Sequence, residues 1–150
     1  MKKRIIVFSL LLHLLNWAQE TKSVHISEIM FYPLETNGEY IELYNSSNTA
    51  IDLSKYKIIY STSSVDTIVE YKDGTNLPPN NFAIIFENDY DFTNGKYFSL
   101  ISDTTLVLQI DNSKFGSSGM ANTSDRFVYL VNSKNDTIDI HQYTANNKAG

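Results

Sequence analysis

The sequence predicts one all-β domain, a β-sandwich of about eight or nine short strands. Three observations support this. Beyond Gln19 the pattern has a period of two rather than 3.6, with Val24, Ile26, Glu28 and Met30 alternating with His25, Ser27, Ile29 and Phe31. The turn-forming clusters NSSN, KDGTN, LPPNN, FTNGK, FGSSG and SKND separate the apolar runs. No segment beyond Gln19 carries a helical period, and no repeat of fixed length appears.

In chain order, the first strand is read over Val24 to Phe31 and the second over Glu39 to Asn45, where Ile41 and Leu43 alternate with Tyr40, Glu42 and Tyr44. KYKIIYS (Lys55 to Ser61) and DTIVEYK (Asp66 to Lys72) follow, rich in the β-branched and aromatic residues that suit a pleated surface. Leu77-Pro78-Pro79-Asn80-Asn81 cannot lie in a central strand, because two prolines remove ladder donors, and it reads as a tight crossing into FAIIF (Phe82 to Phe86). The uninterrupted apolar character of FAIIF predicts a central strand. TLVLQI (Thr105 to Ile110), RFVYLV (Arg126 to Val131) and TIDIHQY (Thr137 to Tyr143) complete the set. The last two are joined by a hairpin with the polar tip Asn132 to Asp136.

The start of the chain is of another kind. Met1-Lys2-Lys3-Arg4, the apolar run Ile5 to Leu15 and then Asn16-Trp17-Ala18 form a secretory signal peptide, with cleavage after Ala18. The run is too short to cross a bilayer, which needs ~20 apolar residues, and it lacks the polar face of an amphipathic helix. The expected organisation is therefore a leader over 1–18 and a folded domain over 22–150. Losing the leader removes three cations and no anions, which takes the net charge from −5 to −8. Nucleic-acid affinity rests on clustered Lys and Arg, so this acidic product is not expected to bind nucleic acid. With no cysteine there is no thiol catalysis or cysteine-zinc site, and the domain must stand on its apolar core. A chain of about 130 residues can bury such a core. No second hydrophobic segment could span a membrane, so the expected destination is secreted or cell surface. Glycosylation sequons at Asn45, Asn122 and Asn135 would matter only in a secreted eukaryotic protein.

ISEIMFYP, GEYIELYN, AIDLSKYKI, LPPNNFAIIF and MANTSDRFVYLVNSKNDTIDIHQY occur in that order. Together they resemble the successive blocks of a lamin tail domain of the bacterial exported kind, from about Val24 to the end. The resemblance implies an immunoglobulin-like β-sandwich, in agreement with the strand count. It also implies a module that accompanies exported enzymes without doing their chemistry. Two departures stand out: Lys55 and Ser124 occupy places where the family commonly has glycine. Such domains usually continue into a strand of the type SLERI, whereas this sequence stops at Asn146-Asn147-Lys148-Ala149-Gly150, which reads as a truncation or a missing edge strand.

Residues able to carry chemistry are few. Glu28, Glu39 and Glu42 stand among the apolar residues of the first two strands. Glu42 is expected on one face while Ile41 and Leu43 enter the core. Glu28 shares the parity of Val24, Ile26 and Met30, so it needs hydrogen-bond donors if that face is buried. A glycosidase pair would require two carboxyls ~5 to 9 Å apart in a cleft. His25 and His141 are not spaced as metal ligands, and no motif marks a Ser-His-Asp triad. Calcium is the ion whose ligands come nearest, through Glu87, Asp89 and Asp91 in ENDYDFTNG. The EF-type loop fails there: counting from Asp89, Asn94 and Leu100 stand where glycine and a carboxylate are needed. Tyr40 with Tyr44, and Tyr56 with Tyr60, have equal parity and could form an aromatic platform for protein or sugar.

The expected function is a non-catalytic exported module for protein or cell-surface interaction, free-standing or an appendage of a larger secreted protein, with no cofactor. Two alternatives stand beside it: a module binding cell-surface polysaccharide on its tyrosine face, and a small hydrolase built on paired carboxylates.

Overall fold

The computed structural model describes residues 23–61 and 64–145. The signal peptide expected over 1–18 and the chain end at 146–150 lie outside the described residues. Among these there are ten strands and one short 3₁₀ turn, Phe98–Leu100. The strands are β1 (Val24–Met30), β2 (Tyr40–Asn45), β3 (Ile51–Asp52), β4 (Lys57–Tyr60), β5 (Ser64–Glu70), β6 (Asn76–Leu77), β7 (Phe82–Phe86), β8 (Leu106–Ile110), β9 (Arg126–Val131) and β10 (Thr137–Tyr143). Each of the eight runs read from the sequence corresponds to a strand, and the two-residue β3 and β6 pair with each other as a separate ribbon.

The long strands are ordered β1-β2-β7-β8-β5-β4-β9-β10. One layer is β1-β2-β7-β8 and the other β4-β9-β10. β5 belongs to both: Ser64–Thr67 pair with β4 and Ile68–Glu70 with β8. β7 and β8 are parallel, and the other pairs are antiparallel. The core between the layers is built from Ile41, Leu43, Ile58, Ile68, Ile85, Leu108, Ile110 and Leu130, all essentially without solvent exposure. Burying each such side chain stabilises the fold by about 1.5–3 kcal/mol, so the domain has a core that needs no disulfide.

FAIIF owes its continuous apolar character to burial on both faces. Ala83 and Ile85 enter the main core, while Ile84 and Phe86 enter a second cluster on the outside of the sheet. The segment after β7 folds back over that outer face. Phe86 stacks on Tyr90 at 4.1 Å between ring centroids, Phe92 packs edge-on against both, and Phe98 packs edge-on against Phe92. Tyr90 Oη then accepts the backbone N–H groups of Tyr97 and Phe98, so a phenol holds the turn together.

Two β-bulges set which side chains face the core, and the first alters the parity read from the sequence. The β1–β2 register shifts between Ile26 and Glu28, so Val24 and Ile26 face the core, Ile29 packs against it, and Glu28 turns outward. An extra residue reverses the alternation of a strand, which is why Glu28 escapes the burial its parity implied. The second shift, between Thr137 and Asp139, buries Asp139 and leaves Ile140 exposed. Asp139 then joins the two ends of the strand order: its Oδ2 accepts the Ile26 N–H at 2.8 Å, satisfying a β1 donor that has no ladder partner on that side.

Asn45, the first sequon asparagine, is fully buried and donates to the carbonyls of Thr49, Leu77 and Pro78. It is a structural clasp between β2 and the β3–β6 end, closed to glycosylation in the folded chain.

Lys55 has φ +66 in the turn where Tyr56 N–H bonds to Leu53 O, so a lysine holds the left-handed conformation that glycine adopts without strain. Ser124 is not among the positive-φ residues, so that position makes no such demand. Lys55→Gly is expected to stabilise the domain by about 0.5–1 kcal/mol, the relieved strain exceeding the added chain entropy; an unchanged or lowered midpoint in urea would refute this. Asp139→Ala is expected to cost about 1–3 kcal/mol by orphaning the Ile26 N–H, with Asp139→Asn milder, as read in the same titration.

Candidate functional site

The antiparallel register of β2 on β7 pairs Tyr40 with Phe86 and Ile41 with Ile85. One step further along the same ladder come Glu39 and Glu87, which share the inward parity of Ile41 and Ile85. The two glutamates therefore lie at the open end of the sandwich, where the apolar layers stop. The crossover from β8 to β9 closes that end with Phe115, fully buried, and Met120, 5% exposed.

A buried crossover brings backbone N–H groups that need acceptors. Three carboxylates and a phenol provide them. Asp66 on β5 accepts Gly116 N–H and Asn112 Nδ2, both at 2.8 Å. Glu87 accepts Phe115 N–H at 3.2 Å. Both oxygens of Glu39 accept Met120 N–H, at 3.0 and 2.8 Å, next to Gly119, whose φ of +87 aims that N–H. Tyr60 Oη accepts Ala121 N–H at 2.6 Å and contacts Tyr143 Oη at 3.0 Å.

Outside the pair lies a cleft of about 480 Å³, lined by Tyr32, Leu34, Glu35, Asn37, Lys114 and Asn122 among others. Burial pushes Glu39 up from 4.5 to about 8; the Met120 N–H and Lys114 act against it, and Glu87 adds to it through its charge and a carboxyl–carboxyl hydrogen bond. Burial also raises Glu87, opposed by Lys114 and the Phe115 N–H, and raises Asp66. Glu87 Oε2 receives no N–H or hydroxyl donor and faces Lys114 Nζ at 3.6 Å. A proton held by Glu39 thus lets two carboxyls share one end of the core.

The residues singled out in the sequence are distributed differently. Glu28 and Glu42 are cross-strand neighbours on the outer face, where Tyr40 Oη donates to Glu28 and Ser27 Oγ to Glu42, each at 2.6 Å. These donors offset a like-charge pair that is otherwise unfavourable. Glu87, Asp89 and Asp91 address separate partners: Glu87 the crossover, Asp89 the Asn37 carboxamide, and Asp91 the N–H groups of Thr93 and Asn94. The Asn94 side chain, with those N–H groups, holds Asp91 below its ordinary range. Among the described residues no three His, Asp or Glu side chains converge as metal ligands.

Tyr40 and Tyr44 do share the outer face of β2, Tyr40 covered by Tyr97 and Tyr44 packed on Phe82 and His25. Tyr56 and Tyr60 instead pack against the main core, so the four tyrosines do not form one platform. The sequence reading weighed Glu39 only with its strand neighbours. The signal that Glu39 and Glu87 meet is positional: each continues the inward parity one step past an apolar run, on strands that prove to be paired.

The family model of the Lamin Tail Domain matches residues 18–145. The chain belongs to that family. A comparison with curated proteins finds no match. As a lamin tail domain the chain is an immunoglobulin-like module, and its open-end carboxylates anchor the crossover.

A raised carboxyl makes this anchoring pH-dependent. The folded state keeps the Glu39 proton up to about 8, whereas the unfolded chain releases it near 4.5. Its contribution to stability is therefore complete below 4.5 and is lost as pH rises to about 8. Glu39→Gln should flatten this decline in melting temperature across the same window; parallel pH profiles for the wild type and Glu39→Gln would show that Glu39 carries no such proton.

Proposed function

We propose that this lamin tail domain is an exported, non-catalytic interaction module, with residues 1–18 its leader and 22–150 the folded unit, at the cell surface or appended to a larger secreted protein. One observation supports the interaction reading. On the outer face of β5-β4-β9-β10, Val65, Ile59, Tyr129 and Ile140 are successive cross-strand partners, forming an apolar row across four strands. Val65 is 47% and Ile140 52% exposed, and Phe127 beside Tyr129 is 43% exposed. Scattered apolar residues on a surface need no explanation, but an aligned row on one sheet face is the form of a protein contact.

The absence of turnover is supported by what the carboxylates do. Glu28 and Glu42 lie outward beside tyrosine and serine, and Asp66, Glu39 and Glu87 hold backbone N–H groups. The partner we favour is a protein of the cell envelope, because the row offers apolar area rather than an open ring platform for polysaccharide. Retention of labelled protein on envelopes of the producing cells should weaken by about tenfold or more in Val65→Asp plus Ile140→Asp at unchanged melting temperature. Equal retention by that variant would refute the row as the contact, and retention lost instead in Tyr44→Ala would transfer the function to the tyrosine face.

A further inference from the structure

The cleft beside the glutamate pair holds an amine against a carboxamide. Lys114 Nζ, on the crossover after β8, donates to Asn37 Oδ1, on the turn before β2, 77 positions away in sequence. A carbonyl oxygen lies about 1.2 Å from its carbon. An amine hydrogen-bonded to Oδ1 lies near the amide plane about 3–3.5 Å from Cγ, so a swing of the lysine tip over the carbonyl brings Nζ onto the line of attack.

The neighbours supply what aminolysis of an amide requires. Glu87 is 1% exposed and its Oε2 lies 3.6 Å from Nζ, so a carboxylate with little access to water adjoins the ammonium as a proton acceptor. Asn37 Nδ2 donates to Asp89 Oδ2 at 3.0 Å, which directs the amide nitrogen, the leaving group, toward a second carboxylate and fixes Oδ1 toward the lysine. Both sides of the contact are held: Asn37 sits at φ +59 in its turn, and Phe115, next to Lys114, is buried and bonded to Glu87.

We propose that Lys114 and Asn37 become joined by an intramolecular isopeptide bond, with Glu87 carrying the proton. Nζ begins as an ammonium. Its first proton passes to Glu87, and the neutral nitrogen attacks Cγ of Asn37. A second proton moves to Nδ2 as the Cγ–Nδ2 bond breaks, and ammonia departs, taking the proton from Glu87 to leave as ammonium. Glu87 ends as the carboxylate it was, Lys114 loses its charge, no electron is transferred and no co-reactant is consumed. The bond ties the β1–β2 turn to the β8–β9 crossover in a chain that contains no cysteine. It is a single internal event that goes beyond the interaction reading and does not rest on it.

Intact mass measured on the purified, denatured full chain tests this. The wild type should be lighter than its sequence by one ammonia, and its tryptic map should contain one linked species carrying both Asn37 and Lys114. Lys114→Arg and Glu87→Gln should each restore the full mass; glutamine keeps an acceptor for the Phe115 N–H, so a cooperative melt checks that Glu87→Gln still folds. A wild type of full mass overturns the proposal. An ammonia loss that persists in Lys114→Arg also overturns it, because Asn37-Gly38 can lose ammonia by attack of the Gly38 nitrogen to give a cyclic imide. A bond that still forms in a folded Glu87→Gln overturns the role given to Glu87.

Discussion

The open end of this sandwich depends on one constraint: the crossover from β8 to β9 buries Phe115 and Met120, and its backbone N–H groups must find acceptors away from water. Asp66 and Tyr60 meet that need from the strands β5 and β4, and Glu39 and Glu87 from the positions that flank β2 and β7. A carboxylate so placed loses hydration, and the cost appears as the raised affinity of all three for protons. Hydrogen bonds from the crossover offset part of it. The charge on Lys114 offsets another part at Glu87.

The same principle operates at the other boundaries of the fold. Where the strand order begins and ends, Asp139 supplies a side-chain oxygen for the Ile26 N–H, and the bulge in β10 turns it inward to do so. At the β3–β6 end, Asn45 serves three carbonyls at once. Buried polar side chains in this protein thus concentrate where regular pairing stops. The interior between those boundaries is almost wholly aliphatic, and it needs only the period-two pattern to be specified.

The strands were legible because burial on one face leaves alternation in the sequence, and burial on both faces leaves an uninterrupted run such as Phe82–Phe86. The parity of Glu28 and Asp139 was not legible, since a bulge inserts one residue without a composition of its own. ENDYDFTNG reads as an acidic loop because its carboxylates dominate the composition. In the fold its anchors are Tyr90 and Phe92, which pack on Phe86, while Asp89 and Asp91 serve neighbouring side chains and turns. The four tyrosines separated for a related reason: equal parity within a strand says nothing about which side of that strand becomes the interior.

By itself the sequence determined the all-β class, the strand segments, the central place of Phe82–Phe86 and the order of blocks that marks a lamin tail domain, because each is a local matter of period, turn residues and apolar run length. Only the tertiary structure decided that Glu39 and Glu87 share one end of the core, that Lys114 reaches Asn37, and that Val65, Ile59, Tyr129 and Ile140 align across four strands. These depend on pairing register and on a crossover that returns from the far layer, and contacts between residues tens of positions apart leave no trace in the local pattern of either segment.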